Sequence, residues 1–441
     1  MMLLIKGGTA VDPEGKYRGE VDILISDGRI EDIAPAGKIP EPEGGDVLSG
    51  AGKLVFPGLV DIHVHLREPG YEWKETILTG CKSAVMGGYT AICSMPNTDP
   101  VNDNESVTRY ILERASSVGL CRVLPIGAVT VGLKGEELAP LSELRKAGCV
   151  AFSDDGEPVW SSAMMRRALE WCSMEGAVIC CHEEDKLLTR GGSMNESPLS
   201  IKMGLKGMPS VAEDVMVARD IELARYLKGK IHICHVSTAR SVELIRRAKN
   251  DGIAVTCEVT PHHIFLDERR VCGYDTNAKM SPPLRTQEDL NAIVEGLKDG
   301  TIDAIASDHA PHEADSKLLE FSSASFGIIG LQTNLALGLR LVERGIITME
   351  RLAFLLSLGG ASALGIEGGK LERGERADIT LIDPDLEWSF DDTENLSKSS
   401  NSPFIGETFK GAAADVISGG RVVMKGRKFT EEIFSEKEDC L

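Results

Sequence analysis

Residues 54–66 read LVFPGLVDIHVHL, a nearly unbroken apolar run that ends in two histidines one residue apart. A run of this kind is expected of a strand covered on both faces, as in a parallel sheet flanked by helices. Seven more runs of the same character follow: YTAICSMPN (89–97), RVLPIGAVT (122–130), GCVAFSDDG (148–156), AVICCHEE (177–184), KIHICHVS (230–237), GIAVTCEVTPHH (252–263) and IDAIASDHAPH (302–312). Between them lie amphipathic stretches such as SSAMMRRALEWCSMEG, SVAEDVMVARDIELARYLKG and STARSVELIRRAKNDG. Eight strand–helix units over roughly 250 residues predict an α/β chain built as a (β/α)₈ TIM barrel. A doubly wound open sheet competes less well, because no G-x-G-x-x-G follows the first strand.

The two ends have a different texture. Residues 3–35 read as short hairpin strands, with Asp27-Gly28 as a turn between DILIS and RIEDI. Residues 377–429 read the same way, so a small β-sandwich assembled from both termini is expected. The division is 1–54 for its first part, 55–366 for the barrel, 367–430 for its second part, and 431–441 for an acidic tail.

Composition narrows the function classes. Hydrophobic residues make up 42% and charged residues 26%, as in an ordinary globular protein. No apolar run approaches the roughly 20 residues of a membrane helix, and the N-terminus lacks the charge and apolar pattern of a signal peptide. The net charge of −20 argues against nucleic acid as a partner. Eleven cysteines without a C-x-x-C pair, several of them in apolar runs, fit buried thiols in a reducing, cytoplasmic compartment.

All nine histidines fall on or just after the proposed barrel strands. In a TIM barrel the C-terminal strand ends build the active site. With a strand period of two, His63 and His65 share a face in strand one, with Ile62 and Val64 turned outward to the helices. By the same count Ala151, Ser153 and Asp155 lie on one face, as do Val178, Cys180 and His182. Ile231, Ile233 and His235 are grouped likewise, with His232 opposite, and Ala304 and Ala306 lead to Asp308. His63, His65, Asp155, His182, His235 and Asp308 are therefore expected in one barrel mouth. Four imidazoles and two carboxylates form a nitrogen–oxygen set suited to Zn²⁺ or a similar ion. Six ligands exceed what one catalytic zinc with an open position takes, and they suit two ions bridged by a carboxylate. Any one of these histidines alone is more simply a hydrogen-bonded core residue. His232, His262 and His263 are left with that reading, and His309 is left open between the two.

DIHVHLREPG (61–70) and ASDHAPHEADSK (306–317) closely resemble the two signature motifs of dihydroorotases, within the urease-related amidohydrolase superfamily. SMPNT (94–98), FSDDG (152–156), HEED (182–185), CHVST (234–238), EVTPHH (258–263) and PPLR (282–285) match in the same order, and GGKLERGERADITLID (368–383) resembles the return to the sandwich. The resemblance implies a cyclic amide hydrolase that interconverts N-carbamoyl-L-aspartate and L-dihydroorotate in pyrimidine synthesis, using two divalent ions, with Zn²⁺ expected. It implies that His63 and His65 hold one ion and His182 and His235 the other. Asp308 is a ligand of the first and the general acid/base. Many relatives bridge the ions with a carboxylated lysine at the end of strand four. Here Ser153-Asp154-Asp155-Gly156 resembles the aspartate-bridged subgroup, and the face count favours Asp155 over Asp154. Substrate contacts are carried over to His65, Arg67, Asn97, His312, Phe326 and Gly327. Arg67 suits a carboxylate, which a guanidinium grips with two bonds.

The chain departs from the family pattern at Ser281, where an asparagine commonly precedes PPLR, at Ser325 in A-P-F-G, and at Gln332 in G-x-E-T. These positions bear on substrate detail rather than on reaction class. Two other readings compete: a hydantoinase or allantoinase sharing the same chemistry, and a non-catalytic barrel kept as a scaffold. The scaffold reading is disfavoured because all six ligand positions are filled. The expected partner is a small molecule, neither nucleic acid nor membrane, with self-association or a bound transcarbamoylase left open.

Overall fold

The computed structural model describes residues 2–430. Eight parallel strands form the expected barrel: β1 (Leu59–Val64), β2 (Tyr89–Ser94), β3 (Arg122–Gly127), β4 (Ala151–Phe152), β5 (Val178–Cys181), β6 (Lys230–Ile233), β7 (Val255–Val259) and β8 (Ala304–Ile305). Each pairs with its neighbours in chain order. A parallel bridge from Val64 to His309 and the His65 N–H donating to His309 O at 2.9 Å tie the last strand back to the first.

Both faces of the strands are buried, and the two faces hold different residues. Small inward side chains, among them Ala91, Cys93, Ala151, Cys180, Ala304 and Ala306, fill the barrel. Outward Ile92, Phe152, Ile179 and Ile305 pack with Ile111, Leu169 and Val217 of the surrounding helices. Those helices begin and end where their capping residues stand. Asn104 accepts from Ser106 N and Val107 N at the head of Glu105–Val118, and Gly119 closes it at φ 65°. Ser161 and Gly176 do the same for Ser162–Glu175.

The opening stretch LVFPGLVDIHVHL is two strands, not one. Leu54–Pro57 pairs antiparallel with Ile379–Ile382 in the terminal sheet, and Leu59–Val64 enters the barrel. The chain changes sheets at Gly58, where a Cβ would collide with the Thr90 side chain. The terminal segments join in one unit of nine strands, with its own core of residues such as Leu3, Ile5, Ile23, Ile379 and Leu381. Asp27 (φ 49°) and Gly28 (φ 77°) form a two-residue turn between Arg18–Ser26 and Arg29–Pro35. Two left-handed residues there match the right-handed twist of the flanking strands.

Among the described residues, no helix is long and apolar enough to cross a membrane. Ten cysteines lie among them, all free thiols, and nine are buried. The acidic tail lies outside the described residues.

Candidate active site

The six residues expected at the mouth come together just past the strand ends. Asp155 lies at their centre. Its Oδ1 is 3.2 Å from His182 Nδ1 and 3.5 Å from both His63 Nε2 and His235 Nε2, and its Oδ2 is 3.4 Å from His65 Nε2. Asp308 Oδ1 lies 3.2 Å from His65 Nε2 and 3.5 Å from His63 Nε2. His182 Nδ1 and His235 Nε2 face each other at 2.9 Å. Asp154, one residue before the centre, points elsewhere: its carboxylate accepts from Val129 N, Thr130 N and Thr130 Oγ1.

Strand alternation explains part of this arrangement, and backbone geometry explains the rest. Ala151 and Cys180 lie inward, as expected for the faces of Asp155 and His182. In β6 the expected face is wrong. Ile231 and Ile233 pack outward with the helices, while Cys234 joins the inward cluster. His235 reaches the site because the ladder has ended and its backbone turns left-handed, at φ 33°. Asp308 (φ 43°) and Arg67 (φ 62°) share that uncommon conformation. In β1, Ile62 packs inward with Ala91 and Cys93 rather than outward, because the pairing register shifts between Asp61 and Val64.

Three of the four imidazoles are oriented from behind. His63 Nδ1–H donates to Glu258 Oε1 at 2.5 Å, His65 Nδ1–H to Asn97 Oδ1 at 2.8 Å, and His182 Nε2–H to Glu184 Oε2 at 3.2 Å. These bonds fix the tautomers and leave His63 Nε2, His65 Nε2 and His182 Nδ1 as lone-pair donors toward the centre. His63 Nε2 is buried and has no hydrogen-bond partner. His63, His65 and Asp308 offer ligand atoms within 4.8 Å of one another, and so do His63, Asp155 and His235.

Against burial, the carboxylates raise His63 well above its ordinary value and His182 to about 9, a positive charge that bound cations would replace. Asp155, Asp308 and Glu258 are buried together, each contacting imidazoles. Burial alone would raise the Asp155 carboxyl, but His63, His182 and His235 reverse this and hold it well below the usual range. The same contest holds Asp308 low, with His63 and His65 outweighing burial. Lone pairs aimed at one point, an orphaned nitrogen and ionised carboxylates are a donor set that divalent ions fit.

Above this cluster opens a cavity of about 460 Å³, lined by His65, Arg67, Asn97, His312, Phe326 and Gly327 together with Asp155, His182, His235 and Asp308. His63 lies beneath it. Arg67 Nε donates to Pro311 O at 3.2 Å, and its Nη2 donates to His312 Nε2 at 3.4 Å. Burial, with Arg67 and Lys74 nearby, pushes His312 down to about 2, so it stays neutral. Ser281 and Met280 also line the wall.

Of the remaining histidines, His232, His263 and His309 have structural partners, whereas the buried His262 Nε2 has none and its ring packs on His263. His232 faces Thr256 Oγ1 at 2.8 Å and Glu258 Oε2 at 3.2 Å. His263 Nε2–H donates to Pro282 O at 2.9 Å. His309, left open by the sequence, contacts Glu75 Oε2 at 3.1 Å through Nε2, and its Nδ1 accepts from Gly330 N. Sequence reasoning missed Glu258 and Glu184. Glu258 was findable: it is the one acid in the strand VTCEV, and the period of two puts it and Thr256 on the face opposite outward Val255, Cys257 and Val259.

A model of the dihydro-orotase-like family matches residues 52–241. A dihydroorotase from Geobacter metallireducens (strain ATCC 53774 / DSM 7210 / GS-15) is 50% identical over 425 residues, covering 96% of this chain and 100% of that one. One from Acetivibrio thermocellus (strain ATCC 27405) is 50% identical over 424 residues, covering 96% and 99%. Among solved structures, an L-hydantoinase (dihydropyrimidinase) from Arthrobacter aurescens superposes with a TM-score of 0.86 at 24% identity, covering 97% of each chain. A dihydropyrimidinase from Brevibacillus agri NCHU1002 gives 0.84 at 22%, covering 98% of this chain and 96% of that one. The structural likenesses speak to the fold.

Proposed function

The chain belongs to the dihydroorotase family, and from that premise we propose how its barrel mouth interconverts L-dihydroorotate and N-carbamoyl-L-aspartate in pyrimidine synthesis. The observation that carries the reading is one arrangement: Asp155 touches all four inward imidazoles on the floor of a cavity whose wall presents Arg67.

His63, His65 and Asp308 would hold one divalent ion, His182 and His235 a second, and Asp155 both, with Zn²⁺ the identity this donor set favours. Ions bound there supply Lewis acidity toward the ring amide carbonyl and make water more acidic. The protein's own residues do the rest. Arg67 and Asn97 grip the substrate carboxylate, with neutral His312 beside them, and set the ring over the floor. Phe326 closes the wall with its backbone N–H, and Gly327 lines the wall beside it. Asp308 is ionised at neutral pH, so it takes the proton released by the attacking water. It returns that proton to the ring nitrogen as the C–N bond breaks. In the biosynthetic direction the amide nitrogen of N-carbamoyl-L-aspartate closes on its carboxyl carbon, water leaves, and the proton moves back through Asp308. The buried free thiols fit work in a reducing cytoplasm.

The test is turnover of dihydroorotate, hydantoin and allantoin by the purified protein, before chelation, after it, and after zinc is restored. Dihydroorotate turnover that disappears with the chelator and returns with zinc is expected. A metal-loaded protein that ignores dihydroorotate but opens hydantoin or allantoin overturns the substrate assignment. For Asp308→Ala, the expectation is a folded, largely metal-loaded protein without turnover, and near-normal turnover would overturn the role of Asp308.

A further inference from the structure

Two lysines behind the cavity wall are buried with no carboxylate to pair with among the described residues. Lys279 is 2% exposed and Lys317 5%. Lone ammonium groups are rarely buried, because desolvation disfavours the charge. Burial pushes Lys279 down to about 8, and burial together with Lys279 pushes Lys317 to about 7.

Their hydrogen bonds all go to one loop and its neighbour. Lys279 Nζ donates to Ser322 O at 3.1 Å and Ala324 O at 2.6 Å, and sits 4.3 Å from the centre of the Phe326 ring. Lys317 Nζ donates to Ser325 O at 2.8 Å, Gly327 O at 3.1 Å and Lys279 O at 3.5 Å. Four carbonyls of residues 322–327 are thus turned onto two amines. In a trans peptide the C=O and the N–H point in opposite directions. Pinning the Ser325 carbonyl on Lys317 therefore aims the Phe326 N–H away from the lysine. That N–H has no acceptor among the described residues, and Phe326 lines the cavity. The neighbouring Gly327 N–H is already spent on Lys279 O at 3.0 Å.

We propose that Lys317, supported by Lys279, is a positioning residue: it holds the Ser325–Phe326 peptide so that the Phe326 N–H meets a ring carbonyl of the bound cyclic amide. The inference rests on the proposed reaction. A contact made equally in the ground and transition states acts on KM rather than kcat.

The experiment measures kcat and KM for dihydroorotate, metal content and melting temperature for wild type, Lys317→Met and Lys279→Met. Methionine keeps the bulk and removes a buried charge but leaves loop carbonyls without their donor, so a modestly lowered melting temperature is expected for both variants. For Lys317→Met the expected result is unchanged metal content, KM raised about tenfold and kcat within about threefold, as loss of one aimed hydrogen bond implies. A smaller KM increase is expected for Lys279→Met. Wild-type KM in a folded, metal-loaded Lys317→Met overturns the inference while leaving the reaction intact. Absence of wild-type turnover overturns the reaction and the inference with it. Should Lys317→Met fail to fold, amide hydrogen exchange on the wild-type protein decides. Slowed exchange at Phe326 on adding dihydroorotate is expected, and unchanged exchange at saturating dihydroorotate overturns the inference.

Discussion

Glu258 Oε1 accepts the Nδ1–H of His63 at 2.5 Å, while Glu258 Oε2 lies 3.2 Å from His232 Nε2, so one buried carboxylate fixes the ring whose other nitrogen is left without a partner. Burial would raise the Glu258 carboxyl, yet His63 and His232 hold it down to about 2. An ionised acceptor behind an imidazole fixes its tautomer and makes the free nitrogen a better donor. Glu258→Gln is expected to fold and to bind zinc on the order of 10–100-fold more weakly. Competition against a chromophoric chelator measures this, and unchanged affinity would remove Glu258 from the metal centre.

Arg67 is placed for substrate rather than for the fold. Its guanidinium is buried in the cavity wall with one bond to Pro311 O and one to His312, and no carboxylate pairs with it among the described residues. Burial lowers it to about 10, so it remains charged. Arg67→Lys keeps the charge and loses the fork that matches a carboxylate. KM for dihydroorotate is expected to rise by on the order of ten- to a hundredfold, the cost of one or two charge-assisted hydrogen bonds. An unchanged KM would place the substrate carboxylate elsewhere.

How much of this was legible in the sequence can be followed residue by residue. The eight barrel strands were readable because a strand buried on both faces is apolar throughout and ends at polar residues. Those ends carry the ligands, and Asp155, His182 and Asp308 lie where inward Ala151, Cys180 and Ala306 point them. His235 does not. The period of two holds only while the ladder continues, and β6 stops at Ile233, two residues earlier. From there a left-handed backbone, invisible to pattern counting, sets the direction. Ile62 fails for a related reason, since a register shift in β1 breaks the alternation. Lys279 and Lys317 were hidden by composition: a lysine in a loop reads as surface, and only the folded loop shows its carbonyls turned inward.

His263 ties acid sensitivity to the barrel. Burial, reinforced by neighbouring His262, holds its imidazole well below the ordinary 6.5. In the unfolded chain it takes a proton near 6.5, so below that pH the unfolded state binds more protons than the native state. Stability therefore falls as pH drops, by up to about 1.4 kcal/mol per pH unit for one proton. His263→Gln is expected to be less stable near neutrality, having lost its bond to Pro282 O, but to show a shallower decline between about pH 6 and about pH 5. Urea unfolding across that window measures the slope, and a slope equal to that of wild type would mean that His263 titrates normally.

Adjacent Asp154 and Asp155 provide the sharpest contrast in the molecule. Asp154 is buried with its carboxylate filled by Val129 N and Thr130 N at 2.9 Å each and by Thr130 Oγ1 at 2.5 Å, so it holds two loops together. Asp155 has its side chain among four imidazoles and bonds no structural backbone group. Asp154→Asn replaces an acceptor oxygen with a donor facing Thr130. It is expected to cost about 1–3 kcal/mol of stability. Zinc stoichiometry and much of the turnover should survive in the folded fraction. Asp155→Asn takes the carboxylate away from four buried imidazoles, so the metal-free variant should unfold earlier than metal-free wild type. It should also fail to retain two ions and lose turnover. Metal content and turnover of the folded fractions separate the two roles. If Asp154→Asn lost the ions while Asp155→Asn kept them, the bridge would belong to Asp154 and the geometry of the whole floor would have to be redrawn around it.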